Sequence, residues 1–120
     1  MDDLLRRLAA GLAAPVLPAP AAIGDASPAA VLIPLFQLGG AWHILFTRRT
    51  DTVESHRGQV SFPGGRIEDE DRDPVHGALR EADEEIGLRP VDVRVVGCMA
   101  RHTTPSGFWV TTVVGVNPWP

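Results

Sequence analysis

Four acidic residues fall within five consecutive positions of this 120-residue chain. They are Glu81, Asp83, Glu84 and Glu85, in the stretch LREADEEIGL. Successive residues of a helix turn by about 100°, so Glu81, Glu84 and Glu85 would share one edge while Asp83 points elsewhere. Carboxylates gathered along one edge could bind a hard divalent cation such as Mg²⁺, which prefers oxygen ligands.

A solvated acidic surface is the simplest alternative for such a helix. Glu81 and Glu85 form a like-charge i, i+4 pair, which costs about 0.2 to 0.5 kcal/mol. Glu84 and Glu85 also lie in the last turn, where the helix dipole disfavours acids by about 0.3 to 1 kcal/mol. Helix stability therefore does not explain the arrangement, whereas a bound cation would remove both costs.

A calcium-binding EF-hand loop is a rival metal motif, because acids occupy its first, third and fifth positions from Asp69 onwards. The sixth position needs glycine and is Pro74, and the twelfth needs glutamate and is Arg80. We therefore exclude an EF-hand.

The acidic stretch carries signals for both ends of a helix. Asp73 suits the N-cap, Pro74 the first helical position and Gly87 the C-terminal stop, which predicts a helix over residues 74 to 86. Its apolar stripe should pack on a core and consists of Val75, Ala78, Leu79, Ala82 and Ile86.

The apolar runs around this helix predict strands. Residues 29 to 37 and 41 to 49 flank Gly39-Gly40 and predict a hairpin, with Pro34 at an edge or bulge. Three further strand segments are expected, the last two joined by the turn TTPSG: residues 59 to 65, 91 to 101 and 108 to 116.

The N-terminal part has a different composition. Residues 13 to 28 are rich in alanine and proline and predict a stiff linker. We expect residues 1 to 28 to form a helix and linker, and residues 29 to 120 to form one domain. The leucines at helical spacing predict the helix over residues 2 to 13: Leu4, Leu5, Leu8 and Leu12.

Composition excludes several classes of protein. The net charge is −4, and nine of the fifteen acids lie between Glu68 and Glu85, which argues against a nucleic-acid surface. The single cysteine, Cys98, excludes an internal disulfide and lies in an apolar strand pattern, so we expect a buried, inert thiol. No apolar run of about 20 residues exists, and the first residues lack signal-peptide features. We expect a cytoplasmic protein without a membrane partner.

The stretch GGRIEDEDRDPVHGALREADEEIGL, residues 64 to 88, closely resembles the Nudix box of Mg²⁺-dependent hydrolases that split nucleoside diphosphates linked to another group. The ending READEEIGL matches that motif throughout. Asp71 replaces the usual first glutamate, and one extra residue separates it from Arg80. This longer spacing is similar to that of the coenzyme A diphosphatase branch.

A second stretch, LFTRRTDTVESHRGQVSFPGG at residues 45 to 65, is similar to an additional motif of the same branch. The resemblance implies a Nudix α/β/α sandwich with a mixed β-sheet. The matching positions are Thr47, Arg49, His56, Gly58, Gln59 and Phe62-Pro63-Gly64-Gly65.

The resemblance implies a metal site for Mg²⁺ or Mn²⁺. Glu81 and Glu85 would be the main ligands, and Glu84 a third ligand or the base that activates water. The Gly64 carbonyl is a candidate further ligand. Gly65 would serve either a close backbone approach or a positive φ.

Basic residues receive two kinds of role. Arg80 should pair with Asp71 or Glu68 and hold the loop against the helix. Coenzyme A carries a 3'-phosphate and a diphosphate, which forked cations could clamp, with solvated strand ends as the alternative. The candidate clamps are Arg48, Arg49, His56 and Arg57.

The other histidines and the tryptophans are weaker candidates. We expect His43 and His76 to be structural. His102 lies near TTPSGF, which is also similar to the coenzyme A branch, and could line the pocket. Trp42 and Trp109 should lie in the core rather than stack on a base.

Together these features predict a pyrophosphohydrolase with a small nucleotide substrate. The leading reaction converts coenzyme A to 3',5'-ADP and 4'-phosphopantetheine, and the runner-up substrate is ADP-ribose or another nucleotide. Relatives usually continue beyond VNPWP with further strands and a closing helix, which we expect to be lacking here. Three alternatives therefore stay open: an inactive nucleotide-binding remnant, a partner such as a second copy in a homodimer that completes the core, and a fragment whose missing part holds further substrate contacts.

Overall fold

The structure is a computed structural model that describes residues 3 to 13, 24 to 48 and 60 to 118. Within these residues no helix is long and apolar enough to cross a membrane. A 3₁₀ turn over Pro90–Asp92 follows the second helix. The other elements are α1 (Asp3–Gly11), β1 (Ser27–Leu38), β2 (Ala41–Ile44), β3 (Thr47–Arg48), β4 (Val60–Ser61), β5 (Gly64–Arg66), α2 (Pro74–Ile86), β6 (Arg94–Cys98), β7 (His102–Thr103) and β8 (Phe108–Val116).

A mixed sheet forms the centre of the fold, as predicted. Its main strand order is β2-β1-β8-β6, with β5 added beside β1 and β7 beside β8. β1 and β8 run parallel from Ser27↔Phe108 to Leu35↔Val116, and the other pairs are antiparallel. β3 and β4 form a separate two-stranded ribbon.

The predicted hairpin between β1 and β2 is confirmed. Gly39 and Gly40 have φ of 62° and 79°, values that favour glycine and suit a two-residue hairpin turn. The second strand is shorter than predicted, because β2 ends at Ile44 and the chain then leaves the sheet to enter β3.

The prediction that Pro34 lies at an edge or bulge is wrong, because β1 is an interior strand. β8 covers one side of it, while β5 pairs with Ala29 to Val31 and β2 with Leu35 to Leu38 on the other. Pro34 lies between these two partners, where its missing N–H breaks no pairing. Its carbonyl accepts a hydrogen bond from the Leu45 N–H at 3.0 Å.

Helix α2 has the predicted bounds and packs on the sheet through small side chains. The Asp73 side chain caps it by accepting from the His76 N–H at 2.8 Å, and Gly87 ends it with φ of 69°. Ala78 and Ala82 are fully buried in the core beside Ala30, Leu32, Cys98 and Val113. The other stripe residues, Val75, Leu79 and Ile86, are half-buried.

Helix α1 packs against β6 and ends at Gly11, two residues before the predicted end. The Ala13 N–H donates to the Cys98 carbonyl at 2.9 Å. Gly97 permits this approach, since a Cβ there would lie 2.7 Å from Leu12 Cβ. The Cys98 thiol is buried, as predicted, and burial raises its pKa.

The linker predicted over residues 13 to 28 falls partly outside the described residues, at 14 to 23. Its end differs from the prediction, because Ser27 and Pro28 already pair with β8. The sheet therefore begins two residues before Ala29.

Candidate active site

Two glutamates of α2 lie against the glycines of β5. The Gly64 N–H donates to Glu85 Oε2 at 2.7 Å. Gly65 faces Glu81, because a Cβ built on Gly65 would lie 2.8 Å from Glu81 Cδ. The two carboxylates, one helical turn apart, therefore both reach β5, and Glu81 can do so because Gly65 lacks a side chain.

Close approach, and not backbone conformation, explains both glycines. Two reasons were predicted for a glycine at position 65. The positive φ is wrong, because Gly65 has none. A Cβ on Gly64 would lie 2.5 Å from the Ala30 carbonyl oxygen and 2.5 Å from Val31 Cγ1. A side chain at position 64 would require β1 to move, whereas one at position 65 would require the Glu81 carboxylate to swing away.

Arg80 and Asp71 form a bidentate ion pair behind these carboxylates. Arg80 Nε lies 2.8 Å from Asp71 Oδ1, and Arg80 Nη2 lies 2.9 Å from Asp71 Oδ2. The Asp71 side chain is 0% exposed and that of Arg80 is 19% exposed. Gly77 leaves room for the pair, since a Cβ there would lie 3.1 Å from Asp71 Oδ2.

Of the two predicted partners of Arg80, the structure brings Asp71 to it. Glu68 takes part through its backbone and not as a partner of Arg80: its N–H donates to Asp71 Oδ2 at 2.8 Å. Hydrogen bonding from Arg80, helped by this N–H, holds the pKa of the Asp71 carboxyl below its ordinary value despite burial. The same pairing raises the pKa of Arg80.

Arg80 also neutralises part of the acidic edge. Its Nη1 donates to Glu81 Oε1 at 3.0 Å and to Glu84 Oε2 at 3.1 Å, so one guanidinium offsets the repulsion between these carboxylates. The Glu84 side chain remains 60% exposed. Asp83 is exposed on the same helix.

The carboxylates of the acidic edge point in two directions: Glu84 points toward Arg80, and Glu85 points toward Gly64. Within the described part of the chain, no three His, Cys, Asp or Glu side chains are gathered around one cation position. The oxygen donors still fit a hard divalent cation. Glu81 and Glu85 lie beside two glycines of β5, and a Cβ added to Gly65 would fill the space next to Glu81.

These glycines and Glu85 line a cleft of about 1320 Å³, above the usual range for a small-molecule pocket. One wall contains the end of α2 and the chain that follows it, including Arg89. The opposite wall contains the segment from Ile44 to Arg48, with Ser61 and Phe62. Asn117 also contributes to the lining.

Aromatic side chains in this cleft were missed by sequence reasoning, which considered only tryptophans. Phe46 and Phe62 stack with ring centroids 4.7 Å apart and planes inclined by 24°. Phe46 is 53% exposed. Its place in LFTRR, inside the second motif, was the available signal. At the rim, the Arg66 guanidinium lies 5.9 Å from the centroid of Phe108.

Of the predicted phosphate clamps, the structure describes Arg48, which is exposed and lines the cleft. Arg49, His56 and Arg57 lie outside the described residues. Arg89 lines the cleft as a further cation that the sequence analysis did not single out.

The remaining candidates lie away from the cleft lining. His43 is exposed and stacks on Phe36 at 5.4 Å. His76 Nδ1 accepts from the Arg72 N–H at 3.0 Å, a structural contact. His102 is exposed on β7. The two tryptophans, Trp42 and Trp109, are half-buried rather than fully buried in the core.

Comparisons with known proteins identify a family model and similar sequences. The NUDIX domain family model matches residues 26 to 116. The uncharacterized Nudix hydrolase NudL of Cronobacter sakazakii is 42% identical over 90 residues, which cover 75% of this chain and 46% of that protein. The chain thus spans about half the length of this relative.

Solved structures share the fold. An Ap4A hydrolase of C. elegans superimposes with a TM-score of 0.63 and 16% identity, over 79% of this chain and 70% of that one. The Nudix hydrolase RenU of M. smegmatis superimposes with a TM-score of 0.64 and 25% identity, over 82% and 65%. With a family model that matches most of its length, the chain belongs to the Nudix family.

Proposed function

We propose that this chain carries the active site of a metal-dependent hydrolase that cleaves the diphosphate linkage of a nucleoside diphosphate derivative. The observation that carries this proposal is the position of Glu81 and Glu85 against Gly64-Gly65, where Glu85 and both glycines line a large cleft. Membership of the Nudix family supports the same class of reaction.

Mg²⁺ or Mn²⁺ is the proposed cofactor. Glu81, Glu85 and the Gly64 carbonyl would hold it, and when bound it would neutralise diphosphate oxygens and make water more nucleophilic. The fit rests on the oxygen donors and on the bare backbone between them.

The chain's own residues position the reacting groups. Asp71 fixes Arg80, and Arg80 fixes Glu81 and Glu84. The exposed Glu84 carboxylate accepts the proton of the attacking water, whose oxygen forms a new bond to phosphorus. The bond between that phosphorus and the bridging oxygen breaks, and the second phosphate leaves with this oxygen. The Gly64 N–H keeps Glu85 against β5.

Coenzyme A is the leading substrate, with 3',5'-ADP and 4'-phosphopantetheine as products. Its support is the resemblance of two adjoining motifs to the coenzyme A diphosphatase branch, together with Arg48 and Arg89 in the cleft wall. ADP-ribose or another nucleotide is the alternative. The Ap4A hydrolase above and an NrtR domain of Shewanella oneidensis in complex with ADP ribose are similar in fold alone.

Parallel incubation with coenzyme A, ADP-ribose and NADH, each with Mg²⁺ and with Mn²⁺, tests the substrate. Release of 3',5'-ADP from coenzyme A is the expected result. Release of AMP from ADP-ribose alone would replace the leading substrate by the alternative. A folded protein that cleaves none of them would favour the inactive nucleotide-binding remnant.

Manganese binding tests the metal site without turnover. We expect Mn²⁺ to broaden the NMR signals of Gly64 and Glu85, and Glu85→Gln to weaken that effect. Asp83→Asn is the matched control, because Asp83 is an exposed acid on the same helix. Equal manganese binding in wild type and Glu85→Gln would refute the assignment of Glu85.

A further inference from the structure

We infer that Phe46 is the platform on which the nucleobase of the substrate stacks, with Arg48 binding a phosphate of the same nucleotide. This inference rests on the hydrolase site proposed above and adds the side of the cleft that recognises the base. Four observations support it, and all concern the ribbon of β3 and β4.

The platform is a cross-strand aromatic pair. The ribbon pairs Thr47 with Ser61 and Arg48 with Val60, and continuing that register by one residue brings Phe46 opposite Phe62. Their rings are stacked at 4.7 Å. Side chains opposite each other on paired strands hold one another in place, so the Phe46 ring has a fixed orientation.

One face of the Phe46 ring is available to a ligand. Phe62 covers the other face, yet Phe46 remains 53% exposed. Exposed aromatic surface within a cleft marks a binding site more often than isolated apolar exposure does. Because the covered face already carries a near-parallel ring, a flat heterocycle on the open face would continue the same stack.

Arg48 lies two residues after Phe46, and alternate side chains of an extended segment point to the same side. Both residues line the cleft. A planar ring and a guanidinium on one side of a strand match a nucleotide, which offers a π-face and a phosphate in sequence.

The distance to the catalytic side is suitable. Phe62 precedes Gly64 by two residues, at most roughly 7 Å of chain because Pro63 bends it, and the Gly64 N–H holds Glu85. A base on Phe46 could therefore be joined through its ribose to a diphosphate beside Glu85. An aliphatic arm would gain only apolar burial from the ring, whereas a base would also gain stacking, so we assign this wall to the base and not to the pantetheine part.

The experiment compares Phe46→Leu with Phe46→Trp. Isothermal titration gives the affinity for 3',5'-ADP and for 4'-phosphopantetheine, and steady-state kinetics with coenzyme A gives kcat and KM. Base stacking on an aromatic side chain is worth about five-fold to 150-fold in affinity. We expect Phe46→Leu to weaken 3',5'-ADP binding by at least about five-fold and to raise KM with little change in kcat. Phe46→Trp should remain close to wild type, and phosphopantetheine affinity should not change.

Met99→Leu is the control, because Met99 is a similarly exposed apolar residue that is not part of the cleft lining. In the wild-type protein, NOEs between the Phe46 ring and the adenine protons of 3',5'-ADP provide a test that needs no variant.

Unchanged 3',5'-ADP binding by Phe46→Leu would overturn the inference. A selective loss of phosphopantetheine affinity would overturn it as well, and would assign the ring to the aliphatic arm. NOEs in a protein that hydrolyses no diphosphate would leave the platform standing while refuting the hydrolase. Turnover of coenzyme A without NOEs, and without a change of KM in Phe46→Leu, would refute the platform while leaving the hydrolase standing.

Discussion

The two walls of the cleft hold their functional side chains in different ways. Behind the α2 wall, which Glu85 lines, Asp71, Arg80, Glu81 and Glu84 form a connected network of short hydrogen bonds, and the Asp71 side chain is fully buried. On the β3–β4 wall, Phe46 and Arg48 are exposed, and the stacked ring of Phe62 orients Phe46.

In the proposed function, this difference separates a chemical task from a recognition task. Groups that act on a phosphorus atom must be held in place before the substrate arrives, because orientation supplies much of the rate. Groups that select a ligand gain affinity by burying surface that is still exposed in the free protein. Substitutions on the α2 wall should therefore act on turnover and stability, and those on the opposite wall on substrate affinity.

The largest expected effect belongs to the proposed base. Glu84→Gln keeps the size of the side chain but removes its ability to accept a proton, so we expect kcat to fall by about 10²- to 10⁴-fold. Asp83→Asn, an exposed acid on the same helix, should leave kcat unchanged. Steady-state kinetics on the cleaved substrate checks both, and equal kcat for the two variants would transfer the role of base to another group.

Asp71→Asn should be the most destabilising change on the α2 wall. It removes the charge of the bidentate partner of Arg80, but Arg80 keeps its contacts with Glu81 and Glu84, so we expect a loss of about 1 to 3 kcal/mol of unfolding free energy. Urea denaturation followed by circular dichroism measures this loss. Asp69→Asn, at an exposed acid of the preceding loop, is the control.

The pH dependence of that difference tests its cause. Asp71 has a lowered pKa in the folded protein, so its stabilisation is present above the unfolded value of about 3.9 and is lost as pH falls through the folded value. We expect the gap between wild type and Asp71→Asn to be constant from about pH 5 to 7 and to shrink below about pH 4. A gap that does not depend on pH would indicate packing instead of charge.

Gly65→Ala should have a smaller effect, and it should act at the proposed metal site. The added Cβ would lie 2.8 Å from Glu81 Cδ and push that carboxylate away, which should cost at most about 1 kcal/mol because only the end of a flexible side chain has to move. Thermal unfolding measures the strain, and manganese titration measures the displaced ligand. Gly107→Ala is a control for glycine loss on an exposed turn, since it changes φ strain without a contact near the site.

Arg48→Gln should have the smallest effect and should act on affinity. An exposed arginine on a phosphate contributes about 1 kcal/mol, so KM should rise about five-fold while kcat and stability stay the same. The salt dependence of KM should weaken in parallel. A fall in kcat at unchanged KM would place Arg48 with the reacting groups and break the division between the walls.

Local signals in the sequence predicted helix α2 well. Asp73 and Gly87 fix the bounds of α2 through capping, which involves only neighbouring residues. Helical geometry alone put the three glutamates on one edge. The role of Arg80 as a neutraliser of Glu81 and Glu84 required side-chain distances, which spacing does not give.

Errors arose where the outcome depends on pairing between distant segments. Pro34 is tolerated because β5 and β2 happen to flank it on the same side of β1. Gly65 is required because α2 brings Glu81 onto it. Phe46 became recognisable only when the β3–β4 register placed it on Phe62. None of these relations can be inferred from the residues next to each position.

The parallel pairing of β1 with β8 has a consequence for how the molecule is made. Ser27 lies opposite Phe108, so the central strands of the sheet meet only after nearly the whole described chain has been synthesised. Closing such a long loop is slow, because the entropy cost precedes any gain from contacts. Helix α2 can form earlier, because its caps are neighbouring residues. β5, which contains Gly64, pairs with β1 and is therefore fixed only once β1 has paired with β8. We therefore expect this closure to limit refolding, so that the helical circular dichroism signal recovers before substrate binding does.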